Sequence, residues 1–147
     1  MSSNNYLEIF KSYRLLLIAD TVDPVGGYSI NTLVGNRILR GSVPHNITFP
    51  QMTIDISLNG NIEGLPYIDF VATFFVWYEH TYTNAANLSA YASNRLIQLL
   101  HKKQDDLNAI NSNITFRLID FYSNDSFTDE KCLGHEVVFI GTISTVN

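Results

Sequence analysis

Apolar side chains recur at steps of three and four over residues 5–19, where Tyr6, Ile9, Phe10, Tyr13, Leu16 and Leu17 form one stripe. That period predicts an amphipathic helix ending near Asp20. Asp23-Pro24 and Gly26-Gly27 predict a loop after it, because proline biases its predecessor away from helical angles. Residues 28–34 read as a further short turn. From Leu33 the pattern changes to a short strand, a connection bounded by Pro44 and Pro50, and a second strand. In that second strand Met52, Ile54 and Ile56 alternate with Gln51, Thr53, Asp55 and Ser57, which predicts one wet face.

Residues 58–66 are rich in turn formers and predict a hairpin loop. Over residues 67–79, Phe70, Ala72, Phe74, Val76 and Tyr78 fall on one side and Asp69, Val71, Thr73, Phe75 and Trp77 on the other. Both sides are largely apolar, so this segment is expected to be the central strand. Thr83-Asn84 offers an N-cap for a helix of about five turns that buries Leu88, Tyr91, Ala92, Leu96, Leu99 and Leu100 and turns Asn87, Asn94, Arg95, Gln98 and Lys102 outward. A polar loop follows at 105–113, with room for a short helical extension. Two closing strands are expected at 114–122 and 132–143, joined by an acidic connection over 123–131. The order predicts an α+β fold: an antiparallel sheet of four to five strands with two helices packed on one face. A chain of 147 residues fits a single domain, 1–147.

Charged residues make up 16% of the chain and hydrophobic ones 46%, against roughly 25% charged in an average soluble domain. Either a partner covers some of the surface or that surface is neutral and rich in Asn, Ser and Thr. The net charge of −5 argues against a protein whose main task is holding nucleic acid, since that affinity comes from cations on phosphates. A local basic patch from Arg14, Arg37, Arg40, Arg95, Lys102, Lys103 and Arg117 stays open. No apolar run reaches the length of a membrane span, and the apolar segment Tyr13–Ala19 lacks the features of an export signal. Cys132 is the one cysteine, so no intrachain disulfide forms, which fits a reducing cytoplasm.

The residues offer little chemistry. His45, His80, His101 and His135 form no paired ligand motif, and no metal site is expected. Asp69 and Glu79 begin and end one strand, roughly 33 Å apart if extended, too far to share an ion. Gly26-Gly27 is not followed by a phosphate-binding Lys-Ser/Thr. Cys132 has no base beside it and reads as a small semi-buried residue. The aromatic residues of 70–82 read as core, with Trp77 and Tyr82 the candidates for a contact surface.

Val34-Gly35-Asn36-Arg37-Ile38, Val43-Pro44, Phe49-Pro50 and Trp77, in that order and spacing, resemble the tail terminator (tail completion, tail-to-head joining) proteins of tailed bacteriophages. The resemblance implies a small α+β subunit of a homo-oligomeric ring, typically a hexamer, that caps the phage tail tube and receives the head-side connector or neck protein. It implies no catalytic residue and no cofactor, a place in the virion after assembly in the host cytoplasm, and DNA passing through the lumen without specific binding. Candidate subunit contacts are Arg37, Arg40, Asn61, Glu63, Trp77, Tyr82, Asp125 and Asp129, with the 58–66 loop and the 123–131 connection reaching neighbours. The longer 20–33 segment departs from the pattern and leaves the first strand's start open. Two alternatives stand beside this reading: a neck or head-completion adaptor of the same virion, and a small metal-dependent hydrolase or nuclease.

Overall fold

The computed structural model describes residues 5–20, 28–45, 49–59 and 66–144. Its elements are α1 (Asn5–Ile18), α2 (Ile30–Leu33), β1 (Ile38–Arg40), β2 (Gln51–Leu58), β3 (Tyr67–Glu79), α3 (Ala85–Leu100), α4 (Gln104–Ile110), β4 (Thr115–Thr128) and β5 (Cys132–Ser144). The five strands form one open sheet in the order β1-β2-β3-β5-β4. The fold is therefore α+β with β3 at the centre, as its two apolar faces predict. Only the β1–β2 pair is parallel; all other neighbours are antiparallel. Parallel pairing follows from the long Pro-bounded connection, which returns the chain to the same end of the sheet before β2 begins.

All four helices contribute to a core on one face of the sheet, against Met52, Ile54, Phe70, Phe74, Val76, Val137 and Phe139. Tyr13 of α1 stands at its centre, its ring edge-on to Phe74 at 5.1 Å, Phe116 at 5.8 Å and Phe70 at 6.3 Å. Edge-to-face rings at these separations add to the burial of apolar area. The α1 stripe is as the spacing predicts, with Ile9, Tyr13 and Leu17 fully buried.

The short turn expected over 28–34 is a helical one, α2, capped by the Ser29 side chain on Thr32 N. Expectations for three other segments change. The expected loop over 105–113 is mostly the helix α4. Asn84 precedes α3 with a left-handed φ of 59° and makes no side-chain cap, so it turns the chain into the helix without acting as a capping acceptor. The expected acidic connection is shorter: Ser123–Thr128 belongs to β4, and only residues 129–131 link it to β5. Polar composition misleads there because β4 is an edge strand whose outer side faces solvent. Register shifts at Arg117 and Tyr122 also break its alternation.

Gln51 and Thr53, placed on a wet face by alternation, are fully buried. Trp77 covers Thr53 and donates its Nε1–H to Thr53 Oγ1 at 2.8 Å. The Gln51 amide accepts from His45 N and donates to His45 O, at 2.8 and 3.0 Å.

Candidate functional site

The segment that carries the sequence resemblance is a structural hub. Gly35 and Asn36 adopt left-handed φ values of 61° and 62° in succession, a turn that only Gly and Asn make at low cost. It redirects the chain from α2 into β1. Arg37 folds back over Gly35, so closely that a Cβ there would lie 2.3 Å from Arg37 Nη2. Arg37 Nε then donates to Pro50 O at 2.8 Å, tying the "VGNRI" turn to the "FP" bend before β2. Tyr78 of β3 closes the hub by donating its hydroxyl to Leu33 O.

Among the described residues, all helices pack on one face of the sheet and none lies on the other. On it lie Val71, Thr73 and Phe75 of β3, with Glu136, Val138 and Ile140 of β5 beside them. Leu118, Asp120 and Asp125 of β4 continue the same face. Ile140 and Leu118 are 39% and 38% exposed, and Tyr122, at the second register shift, is 69% exposed. Among the described residues no helix or loop covers that central apolar area. Beside Leu118 and Ile140, Asp69 Oδ1 accepts from Thr142 Oγ1 at 2.9 Å, in a depression of ≈ 320 Å³ that also touches Val71.

One end of this face is sealed by aromatic rings. Trp77 stacks on Phe75 with centroids 5.5 Å apart, and Phe127 of β4 lies against Trp77 at 4.9 Å. Gly134 sits between Trp77 and Phe127 in the register. A Cβ there would fall 1.8 Å from Val76 O and 2.8 Å from Phe127 Cζ. The glycine is what lets the two rings meet.

The sequence candidates are scattered over this frame. Arg37 is committed to Pro50 O. Arg40 is exposed at the β1 edge, its guanidinium 5.8 and 5.9 Å from the ring centres of Tyr6 and Phe10. Trp77 is 7% exposed beneath Phe127, and Tyr82 is 44% exposed with its ring against Tyr78. Asp125 is exposed and directly opposite Glu136. Asp129 shapes the β4–β5 turn: Oδ1 accepts from Lys131 N and Cys132 N at 2.9 and 2.8 Å, and these two bonds hold its carboxyl below the usual range. Asn61 and Glu63, with residues 60–65 of the 58–66 loop, lie outside the described residues, as do Asp23-Pro24 and Gly26-Gly27.

Each of the four histidines has its own hydrogen-bond partner. His45 and His80 each donate through Nε2, to Arg40 O and Asp129 O, both at 2.7 Å. His101 Nδ1 accepts from Phe121 N at 3.0 Å. His135 Nδ1 meets Asn124 Oδ1 at 2.9 Å, and burial lowers its pKa. Among the described residues no three His, Cys, Asp or Glu side chains gather as a metal-binding set, and no helix is long and apolar enough to cross a membrane. Cys132 lines a cleft of ≈ 490 Å³ between Pro44, His45 and Phe49 and the β4–β5 turn. Burial and nearby carboxylates push its thiol pKa up, the opposite of an activated nucleophile.

Sequence reasoning missed two features of the structure. One is the capping of both sheet edges. Arg14 Nε donates to Ile38 O at 3.4 Å and His45 covers Arg40 O on β1. On β4, Lys102 N bonds Ile119 O at 2.9 Å, while Asn108 satisfies both Phe116 N and Phe116 O. The other is the Asp20–Arg95 ion pair, since the helical period turns Arg95 outward. Its Nη2 instead meets Asp20 Oδ1 at 2.7 Å. Neither leaves a local signal, because each joins residues far apart in the chain.

No family model matches this chain, and no curated protein does. A chain from a solved structure described as "Virion of native gene transfer agent (GTA) particle" is similar to it in fold, with a TM-score of 0.59 and 16% identity. The correspondence covers 95% of this chain and 96% of that one. What the two share at that identity is the fold, and they share it from end to end.

Proposed function

We propose that this protein is a structural component of a phage-like virion, and within it the tail terminator. In this reading a homo-oligomeric ring, taken to be hexameric, caps the tail tube and receives the head-side connector. The observation that carries the virion reading is the end-to-end correspondence with a virion chain. The order of the Val34–Ile38, Val43-Pro44 and Phe49-Pro50 motifs favours the terminator within that class.

The geometry suits such work. A subunit with an uncovered apolar sheet face and few charges gains by burying that face against its neighbours, at roughly 25 cal/mol for each Å² of apolar area removed from water. Rigid capping of both edges and the Arg37–Pro50 hub hold the contact surfaces in fixed relation, which a closed ring requires. The net charge of −5 per subunit suits a conduit for DNA, because an acidic lining repels phosphates and prevents adhesion. The ring does its work by shape, with no reacting group.

The test is assembly. Purified protein should form particles of one defined stoichiometry by mass photometry, and should bind the ends of isolated tail tubes in electron micrographs. Isolated subunits at every concentration, with no binding to tube ends, would defeat the reading. A strongly basic lumen in the assembled ring would defeat its DNA-conduit part.

A further inference from the structure

We infer that the two ends of the sheet are complementary halves of one contact, so that the α1/β1 end of one copy docks on the β4 end and uncovered face of a second copy. This rests on the ring reading above and assigns the surfaces that build it.

Two clusters of opposite predominant sign stand at the two ends of the sheet, apart from Glu8 on α1 and from Arg117, Lys102 and Lys103 along the first part of β4. Lys11, Arg14 and Arg40 are exposed at the α1/β1 end, and no ion pair among the described residues includes them. Far-edge carboxylates sit on the last part of β4, on the turn after it and on β5: Asp125, Asp129, Glu130 and Glu136, with Lys131 the one cation inside that stretch. Asp125 and Glu136 are cross-strand partners, and like charges directly opposite are unfavourable in a lone subunit. A neighbour's cation relieves that repulsion.

The two patches also stand at one level. Arg40 pairs with Ile54, Ile54 with Phe74, Phe74 with Val137 and Val137 with Asn124. Arg40 and the residue next to Asp125 therefore occupy opposite ends of a single cross-strand row, four strand spacings or roughly 19 Å apart.

Each patch has apolar companions. Leu7 and Ile18, 41% and 38% exposed, share a stripe of α1 with Lys11 and Arg14 at steps of four and three. On the other side stand Leu118, Tyr122 and Ile140. Apolar anchors rimmed by opposite charges are the composition of a specific protein contact. A two-fold dimer needs one self-complementary patch, whereas each patch here has a single predominant sign. Joining unlike patches is a heterologous contact, which closes into a ring when its rotation divides a circle.

Charge reversal tests this with a mixture. Arg14→Glu with Arg40→Glu makes both ends acidic; Asp125→Lys with Glu136→Lys makes both ends basic. Each variant alone should need about tenfold or more protein to assemble, since like charges then face each other at every contact. An equimolar mixture should recover rings of wild-type size with the two variants in equal amounts, because alternating subunits restore opposite signs at each contact. Should Arg40→Glu disturb the fold through Tyr6 and Phe10, or Arg14→Glu through its bond to Ile38 O, Lys11→Glu alone makes the same test from the exposed face of α1. Rings that form normally from either variant alone, or a mixture that fails to recover, overturn the inference and leave the ring reading intact. A wild-type protein that never assembles overturns both.

Discussion

Removal of the Asp20 carboxylate should destabilise the protein far more than an ordinary surface substitution. Asp20 follows α1 and does two tasks. Oδ1 receives Arg95 Nη2 at 2.7 Å, while Oδ2 receives Arg95 Nε at 3.4 Å and the Ile30 backbone N–H of α2 at 2.8 Å. One side chain thus joins the end of α1, the start of α2 and the middle of α3. The two side chains are 4% and 12% exposed, so Asp20→Ala strands a cation with little access to water. Breaking such a pair costs roughly 3 to 5 kcal/mol when burial is complete. Arg95 keeps some solvent and a 3.2 Å bond to Gln98 Oε1, so about 2 to 4 kcal/mol is expected. For a domain of this size that lowers Tm by roughly 6 to 12 °C. Urea unfolding followed by circular dichroism measures it, and a cycle with Arg95→Met isolates the pair. With the guanidinium absent, Asp20→Ala loses mainly the Ile30 bond and should cost about 1 kcal/mol. An additive cycle, or an Asp20→Ala cost within surface scatter of about 0.5 kcal/mol, refutes the reasoning.

Other perturbations separate packing from polar bonding. The Tyr13 hydroxyl is fully buried and finds no partner among the described residues, so Tyr13→Phe should leave stability unchanged or raise it by up to about 1 kcal/mol; a loss in thermal unfolding counts against this. Trp77→Phe keeps the ring stack but orphans the buried Thr53 hydroxyl, and should cost about 1 to 3 kcal/mol in denaturant titration. Gly134→Ala puts a methyl into the Val76 carbonyl, which the backbone cannot vacate; a loss of about 3 kcal/mol or more, or no soluble protein, is expected. Burial lowers the His135 pKa, so below the unfolded histidine value of about 6.5 the unfolded state takes up a proton that the folded state resists. Stability should be full above that pH and fall as pH drops through it, and His135→Gln should flatten the slope between pH 7.5 and pH 5.5 in matched urea titrations.

Periodicity revealed what periodicity governs. The α1 stripe and the two-sided apolar β3 both bury what their spacing indicates, because a packed face repeats at the period of the element. Arg95 and the Gln51–Thr53 pair escaped because their surroundings come from Asp20, His45 and Trp77, each distant in the chain. The strand expected at 114–122 is the first part of β4, but its continuation over Ser123–Thr128 escaped: an edge strand with two register shifts need not alternate, and the Ser-Asn-Asp-Ser stretch has the composition of a loop. Arg37 and Trp77 illustrate the same limit at the candidate surface. Sequence singles both out, yet only the fold shows Arg37 bonded to Pro50 and Trp77 roofed by Phe127.

Edge capping bears on how copies meet. An open sheet invites strand addition wherever outward N–H and C=O groups are free. Here Arg14 and His45 occupy the outward carbonyls of β1, and the α3–α4 segment, through His101, Lys102 and Asn108, occupies β4 from Phe116 to Phe121. Strand pairing along those stretches would first have to break bonds already made. Side-chain docking breaks none of them, and it uses the uncovered face, where the exposed Leu118 and Ile140 stand. A contact made that way depends on shape and charge at both ends of the subunit, so salt should weaken it in a graded manner. Strand pairing would instead be largely indifferent to salt. Sedimentation across a series of ionic strengths distinguishes the two: assembly that is unmoved from low to high salt would argue for backbone pairing and against the charge-sorted contact.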